Sequence, residues 1–298
     1  MKKIFPLFFL AASLCANQYN ETLYPNWGQW LTNNQTIFEE KTDQQDLIIF
    51  ENTQFGRVLA LDGAVQLTTA DEPVYHEMMV HVPLLHHANP LSVLIIGGGD
   101  GGILRETVRH ETLQRIVLVE IDASVIDLSK KHLPSVSNGA FSDPRVEIVI
   151  GDGAEYVKNA KEKFDVIICD STDPTGPSIV LFTSEFYGHC KQLLNKNGIF
   201  VNQNGVPFLQ QDEMILTLKN RKDHFKRVGF YVAPVPTYVG GFMAFGWASD
   251  KSYKTSQKML EKRLSRVKGK MTYYNPAIHL SAFNLPQFML DIIETQKD

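Results

Sequence analysis

From Leu91 onward the chain alternates continuous apolar runs with amphipathic segments, and this alternation limits the fold more than any other feature. The apolar runs read LSVLIIGGGDGG, LQRIVLVEID, RVEIVIGDGA, FDVIICDSTD and KNGIFVNQNG. The segments between them carry apolar residues at helical spacing. Strands that alternate with helices form a parallel sheet whose two faces are both covered. The sequence therefore predicts an α/β fold, and the runs GFYVAPVP and GFMAFGWAS predict two further strands.

The part of the chain before this alternation has a different pattern. QTIFEEKT, QDLIIFENT and GRVLALDGAVQLTT predict antiparallel strands, with Asp62-Gly63 as a turn signal. EPVYHEMMVHVPLLHH then has helical spacing, with Pro73 suited to a first helical turn. We expect a small N-terminal β-domain over residues 18–82 and a second, larger domain over residues 83–298.

Residues 1–17 do not belong to either predicted domain. Two lysines, an apolar run and then small residues give this segment the layout of a secretory signal peptide. The apolar run is too short to span a bilayer. A mis-assigned start of translation is the alternative, and the sequence leaves both interpretations open.

Composition and spacing argue against several classes of protein. The chain has 298 residues and a net charge of −4, whereas nucleic-acid-binding proteins carry a basic stripe. Its three cysteines have no spacing typical of a zinc site or a disulfide framework. His76, His81 and His86 recur at intervals of five, on diverging faces of a helix, so they predict no metal site. Taken alone, His76 is typical of a satisfied surface histidine. We expect no metal and neither nucleic acid nor membrane as a partner.

The residues that follow each predicted strand are the candidates for a ligand site. In an open parallel sheet, ligands bind beyond the carboxyl ends of the strands. The first strand ends in GGGDGG, a weak match to G-x-G-x-x-G that contains Asp100. The second ends in Glu120, near the spacing at which an acid binds ribose hydroxyls. The third ends in Asp152, which could accept from an adenine amino group or cap a helix. The fourth ends in Asp170, and Asp173 follows three residues later.

Four successive strands thus present carboxylates at one rim of the sheet, and this indicates a ligand rich in hydroxyl and amine donors. A nicotinamide dinucleotide and an S-adenosyl compound are the two ligand types that remain. Asp100 disfavours the first, because a carboxylate inside the glycine loop repels a pyrophosphate and attracts a sulfonium or an ammonium. The pattern favours an S-adenosyl ligand with a cationic tail or partner.

The motifs GGGDGG, VEID, SDPRVEIVIGDGAEYV and DSTDPTGP resemble those of the polyamine aminopropyltransferases, bacterial spermidine synthases in particular. Further matches are EKTDQQDLIIFENTQFGRVLALDGAVQ, DEPVYHEMMVHVPLL, FLQQDE, VPTYVGG and YYNPAIH. The resemblance runs from about Glu21 to Pro286. It implies a cytoplasmic homodimer or homotetramer. It also implies a small N-terminal antiparallel β-domain followed in sequence by a Rossmann-like catalytic domain of the S-adenosylmethionine-methyltransferase type. The signal-like N-terminus departs from the family and leaves export open.

The resemblance also implies an activity and a role for each matching residue. The aminopropyl group of decarboxylated S-adenosylmethionine would pass to putrescine, giving spermidine and methylthioadenosine, without a cofactor or a metal. Residues implied for the donor are Gln45, Asp100, Glu120, Asp152, Gly153 and Pro177. Residues implied for the acceptor are Tyr75, His76, Asp100, Asp170, Ser171, Thr172, Asp173 and Tyr238. Asp170 would be the catalytic base.

Asp170 can act as the implied base only if its surroundings shift the pKa values of the amine and of Asp170 towards each other. An alkyl amine has a pKa of about 10.4 and an aspartic acid one of about 3.9, so full proton transfer in water is strongly uphill. Burial near the sulfonium should lower the pKa of the amine, and apolar walls should raise that of Asp170. Pro174 and Pro177 would hold Asp170 and Asp173 rigidly in place.

Two other functions stay open at this point. A methyltransferase could use the same fold, since fold alone does not separate the two activities. A polyamine-binding protein without turnover is compatible with an exported chain, although such a protein needs no adenosine site. The preferred acceptor among putrescine, cadaverine and spermidine depends on pocket depth, which the sequence does not show.

Overall fold

The computed structural model describes residues 17–41, 46–174 and 176–296. Gln45 and all but the last residue of the signal-like segment lie outside these ranges. The chain divides into two compact units, the first ending at Gln66 and the second beginning at Leu67. This division lies earlier than the predicted boundary between residues 82 and 83, because the first helix packs into the core of the second unit.

The first unit is built from antiparallel strands, as predicted. Strands β1 (Asn17–Asn20) and β2 (Trp30–Asn33) pair with each other. A four-stranded sheet follows, in the order β3 (Gln35–Lys41), β4 (Asp46–Asn52), β5 (Gly56–Leu61) and β6 (Ala64–Thr68). Asp62 and Gly63 join β5 to β6 with φ values of 49° and 81°. Two successive positive φ values are typical of the type I′ turn, so the predicted turn signal is confirmed.

The second unit contains a seven-stranded, mostly parallel sheet. Its strands are β7 (Ser92–Gly97), β8 (Arg115–Glu120), β9 (Val146–Ile150), β10 (Phe164–Asp170), β11 (Leu194–Gln203), β12 (Arg227–Ala233) and β13 (Met243–Ser249). They lie in the order β12-β13-β11-β10-β7-β8-β9, and β13 alone runs in the opposite direction to the other six strands. Along the chain, β8 and then β9 follow on one side of β7, and β10 lies on the other side of β7. The switch point, where ligands bind in such sheets, therefore lies between β7 and β10.

Helices cover this sheet. They are α1 (Glu72–His86), α2 (Gly102–Val108), α3 (Ala123–His132), α4 (Pro134–Ser137), α5 (Gly153–Asn159), α6 (Ser184–Leu193), α7 (Gln211–Lys222), α8 (Gln257–Leu264), α9 (Pro276–Ser281) and α10 (Gln287–Thr295). The sequence predicted five of them, α1, α2, α3, α5 and α6. Among the residues described, no helix combines the length and apolar character that a membrane span requires.

The core lies on both faces of the central sheet, because successive side chains of a strand point to opposite faces. In β7, Val93 and Ile95 pack in the cluster that includes the apolar residues of α1. Leu94 and Ile96 pack in the other cluster, with α6. Cys169 lies in this second cluster as a buried free cysteine. Double-sided burial explains why the strands read as continuous apolar runs.

Strands β7 and β10 stay paired up to their last residues. Gly97 lies opposite Asp170 in the parallel register. Gly98 donates its backbone N–H to the Asp170 carbonyl oxygen at 3.1 Å. A Cβ atom at Gly97 would lie 1.9 Å from that same oxygen, and φ there is +79°. Only glycine permits this approach, which brings the GGGDGG loop against Asp170.

Replacing Gly97 with alanine tests this contact. Gly139 has the same left-handed backbone, with φ of +80°, but no described atom lies within 4 Å of an added Cβ. Gly139→Ala should therefore lower the free energy of unfolding by about 1 kcal/mol, the cost of the backbone conformation alone. Gly97→Ala should cost about 3 kcal/mol or more, because backbone atoms must also move. Urea unfolding measures both variants, and equal losses would contradict the close contact.

Candidate active site

The predicted carboxylates lie at one rim of the central sheet. Asp100 follows β7, Glu120 ends β8, Asp152 follows β9 and Asp170 ends β10. Asp173 lies three residues beyond Asp170. Since β10, β7, β8 and β9 are adjacent in the sheet, the acids form a continuous row across the switch point.

Asp170 lies at the β10 side of this row, partly shielded from solvent. The hydroxyl of the buried Tyr75 donates a hydrogen bond to its Oδ1 at 2.5 Å. Burial and the negative charge of Asp100 raise the pKa of Asp170 to about 7, although His76 and the Tyr75 hydroxyl act in the opposite direction. This carboxylate can therefore take up a proton near neutral pH, as a general base requires.

Asp100 is held by the loop in which it lies. Its Oδ1 accepts the backbone N–H of Gly102 at 2.7 Å and lies 3.4 Å from His76 Nε2. A Cβ atom at Gly102 would lie 2.1 Å from His76 Cε1, so the imidazole rests directly on the glycine backbone. The glycine loop therefore admits the ring as well as a ligand.

His76 is buried, with 3% of its surface exposed, and is not the surface histidine that the sequence predicted. Its Nδ1 donates to Glu72 Oε2 at 2.6 Å, one helical turn earlier in α1. Burial alone would lower the pKa of His76, but the charge of Asp100 and the hydrogen bond to Glu72 outweigh burial and raise it to about 9. The site thus contains an imidazolium that is largely enclosed by protein.

Glu72 stabilises this imidazolium, and Arg105 holds Glu72 in place although its own charge lowers the pKa of His76. Sequence reasoning missed both residues. Arg105 donates from its two terminal nitrogens to the two oxygens of Glu72, at 2.7 and 2.8 Å. Its Nε donates to Glu106 at 2.7 Å. A bidentate guanidinium–carboxylate pair has a fixed geometry, so α2 fixes the first turn of α1. Nothing in the local sequence pattern distinguishes these residues from an ordinary surface pair.

The side of the rim formed by β8 and β9 contains two carboxylates in different environments. Glu120 is buried, and its two oxygens accept the backbone N–H groups of Gly99 and Asp122, each at 3.0 Å. Burial raises its pKa. Asp152 is exposed and caps α5, with Oδ1 accepting from the N–H groups of Ala154 and Glu155 at 2.7 and 3.2 Å. The helix-cap alternative for Asp152 is therefore present, and it occupies one of the two oxygens.

Beyond β10 lies Asp173, whose Oδ2 accepts from Gln210 Nε2 at 2.9 Å. Burial raises the pKa of Asp173. The Thr172 carbonyl oxygen accepts from Gln203 Nε2 at 3.2 Å. Tyr238 packs edge-on against Tyr75, with 5.7 Å between ring centroids.

For the remaining predicted site residues, the structure gives at most a position at the rim. Ser171 follows Asp170 directly, and Gly153 begins α5. The side chain of Pro177, like the whole of Gln45, lies outside the described residues. Gln210, which contacts Asp173, belongs to the FLQQDE motif.

One group of described residues has the spacing of a cation site. His76, Asp100 and Asp170 each offer an atom, and these atoms lie within 4.8 Å of one another. A metal ligand must be deprotonated, whereas the raised pKa of His76 keeps that ring protonated. The two carboxylates of this group can accept hydrogen bonds from an organic ammonium, and metal-free action stays a prediction.

The three regularly spaced histidines do lie on different faces of α1. His81 contacts His110 and Glu106, and His86 contacts His279. Neither joins His76, so the predicted divergence of the three rings is confirmed.

Comparison with known proteins identifies the family. Residues 72–258 match the spermine/spermidine synthase domain, and residues 17–69 match the spermidine synthase tetramerisation domain. The chain belongs to the spermine/spermidine synthase family. Polyamine aminopropyltransferases of Escherichia fergusonii and Shigella flexneri are each 50% identical to it over 281 residues, which cover 94% of this chain and 98% of theirs. The predicted resemblance is confirmed, and the chain is an enzyme of the aminopropyltransferase type.

Solved structures of spermidine synthases agree with this membership. One, in complex with the transition-state analogue AdoDATO, is 39% identical, with a TM-score of 0.88 over 94% of this chain and 95% of the other. A second, from Thermotoga maritima, is 38% identical, with a TM-score of 0.86 over 94% of each chain. The predicted Rossmann-like fold, with a small antiparallel part before a mostly parallel sheet, is confirmed.

The charge on His76 gives a direct test of the site electrostatics. Asp100→Asn removes the carboxylate that contributes most to the raised pKa of His76. We expect the variant to lower that pKa by about one, in the range typical of an ion pair at short distance. NMR titration of the imidazole measures it, with Asp152→Asn as the control at the same rim. An unchanged His76 pKa in Asp100→Asn would contradict the assigned contact.

Proposed function

We propose that the chain transfers the aminopropyl group of decarboxylated S-adenosylmethionine to putrescine, giving spermidine and methylthioadenosine. The attacking nitrogen forms a bond to the methylene carbon next to the sulfonium. The C–S bond breaks with its electron pair going to sulfur, which leaves as a neutral thioether. The proton released by the nitrogen goes to Asp170. No electrons enter or leave, so the reaction needs no redox cofactor.

The observation that carries this proposal is the state of Asp170. It is a carboxylate at a strand end, with a pKa of about 7 and a hydrogen bond from Tyr75. Proton acceptance is most effective when the pKa of the base lies near the working pH. Asp100 and His76 beside it form the mixed-charge surroundings in which an amine and a sulfonium can be held together.

The donor is assigned to the glycine-loop side of the rim. Glu120 and Gly99 already form a hydrogen-bonded pair there, and a ribose could share the carboxylate. Asp152 keeps one oxygen outside its helix-cap contacts, which leaves an acceptor for the adenine edge. Asp100 would face the amine of the aminopropyl group, a contact that a donor retaining its carboxylate could not make without repulsion.

The acceptor is assigned to the side of Tyr75, His76, Asp173 and Tyr238. A diamine places one nitrogen at Asp170 and its other, charged nitrogen at Asp173. A monoamine would leave the second carboxylate unpaired, and a site built for a polar partner discriminates strongly against a ligand that lacks it. We also propose a homodimer or homotetramer, supported by the match to a tetramerisation domain, and a cytoplasmic location, where the nucleoside donor is available.

Turnover measured with decarboxylated S-adenosylmethionine tests the proposal. We expect release of methylthioadenosine that depends on a diamine, fastest with putrescine among putrescine, cadaverine and spermidine. The value of kcat/KM should rise as the pH increases through about 7, because Asp170 must lose its proton before it can act as a base. Release that does not depend on any amine, or no release at all, would contradict the proposed function.

Asp170→Asn separates catalysis from binding in the same assay. We expect kcat to fall by about 10²–10⁴-fold, the usual contribution of a general base, while the affinity for methylthioadenosine stays close to that of the wild type. Asp122→Asn is the matched control, because Asp122 follows β8 in the same sheet and caps α3, a role that asparagine fills equally well. Near-normal turnover in Asp170→Asn would exclude this residue as the base.

A further inference from the structure

A row of polar side chains extends beyond Asp173, away from the reacting centre. Gln210 Nε2 lies 2.9 Å from Asp173 Oδ2 and 3.4 Å from Glu213 Oε2. The orientation of this amide is fixed, because its Oε1 accepts the backbone N–H of Val206 at 2.7 Å. One NH₂ group therefore joins two carboxylates, Asp173 and Glu213.

Glu213 lies in the first turn of α7, with 8% of its surface exposed. Asn204 Nδ2 donates to its Oε1 at 3.4 Å. Within the part of the chain that the structure describes, the carboxylate accepts only this bond and the one from Gln210, and both are long for hydrogen bonds. Burying a carboxylate with such weak partners is unfavourable. Burial, followed by the charge of Asp173, raises the pKa of Glu213 to about 8.

A buried cation lies at the other end of the row. Arg221 is fully buried, and its Nη2 lies 3.5 Å from Asn204 Oδ1. Thr217 donates to that same oxygen at 2.6 Å, so Asn204 is held between the guanidinium and Glu213. The row thus contains two carboxyl groups and one guanidinium. The raised pKa of Glu213 keeps it largely protonated near neutral pH, and a positive charge at Asp173 would favour its ionisation.

We propose that Glu213 is a positioning residue that selects acceptors with a distal ammonium. It acts through Gln210, which it holds against Asp173. When an ammonium reaches Asp173, Glu213 gives up its proton to solvent and adds a second negative charge behind the carboxylate that faces the acceptor. This inference rests on the proposed function and extends it to a residue that does not itself touch the substrate. The distal ammonium of a diamine brings the positive charge that favours this ionisation, whereas the uncharged end of a monoamine does not.

Glu213→Gln tests this role, because glutamine keeps the shape and removes the charge. We expect the KM for putrescine to rise about tenfold, in line with the loss of one charge-dependent contact, while kcat stays within about twofold. The inhibition constant of 1-aminobutane, a monoamine of the same length, should not change. A general packing defect would weaken both amines together.

Two further variants make the comparison decisive. Asp212→Asn, at the exposed neighbouring position of α7, should leave the KM for putrescine unchanged. Glu213→Asp keeps the charge but withdraws it by one methylene, so its KM should rise less than that of Glu213→Gln. This variant also reports on the role of Glu213 if the glutamine variant folds poorly.

The outcomes separate this inference from the proposed function. If the wild-type enzyme is active and both Glu213 variants have the same KM for putrescine as the wild type, the proposed role of Glu213 is overturned and the proposed function is not. A parallel weakening of putrescine and 1-aminobutane overturns it as well. A wild-type enzyme that releases no methylthioadenosine with any diamine overturns the proposed function, and this inference with it.

Discussion

Mutual repulsion among carboxylates is the physical constraint on which the second unit of this protein depends. Parallel pairing of β7 with β10 up to Gly97 and Asp170 forces the Asp100 loop against the end of β10. Two acids held together in a partly buried site cannot both be ionised without cost. Burial, together with this repulsion from Asp100, raises the pKa of Asp170. A ligand that brings positive charge to this rim relieves the repulsion, so the site is complementary to cations before any substrate enters.

Helix α1 converts this constraint into a defined geometry. Its buried face packs in the sheet core, while Tyr75 and His76 reach the acids at the rim. The ion pair between Glu72 and Arg105 fixes the first turn of the helix. The same helix therefore contributes to stability through its apolar residues and to the site through its polar ones. A substitution in α1 can therefore change both stability and activity, so both should be measured for every α1 variant.

Much of this architecture follows from sequence pattern. Continuous apolar runs predicted the parallel strands because both faces of the sheet are covered, and carboxylates at strand ends predicted the rim. Helix α7 was missed because its apolar residues are nearly consecutive in sequence and do not recur at helical spacing. One of them, Leu216, is exposed. His76 was misjudged, and Glu72 and Arg105 were missed, because their pairing spans 33 residues and arises only when α1 packs against α2. Local periodicity carries no information about such contacts.

The central claim is that the rim acids are partly protonated until a cation arrives. Calorimetric titration of putrescine into the enzyme saturated with methylthioadenosine, at pH 7 in buffers of different ionisation enthalpy, tests it most directly. The account predicts that binding releases protons, because a cation lowers the raised pKa of Asp170. It also predicts a smaller release in Asp170→Asn. Binding without proton release, or an equal release in both proteins, would contradict the account.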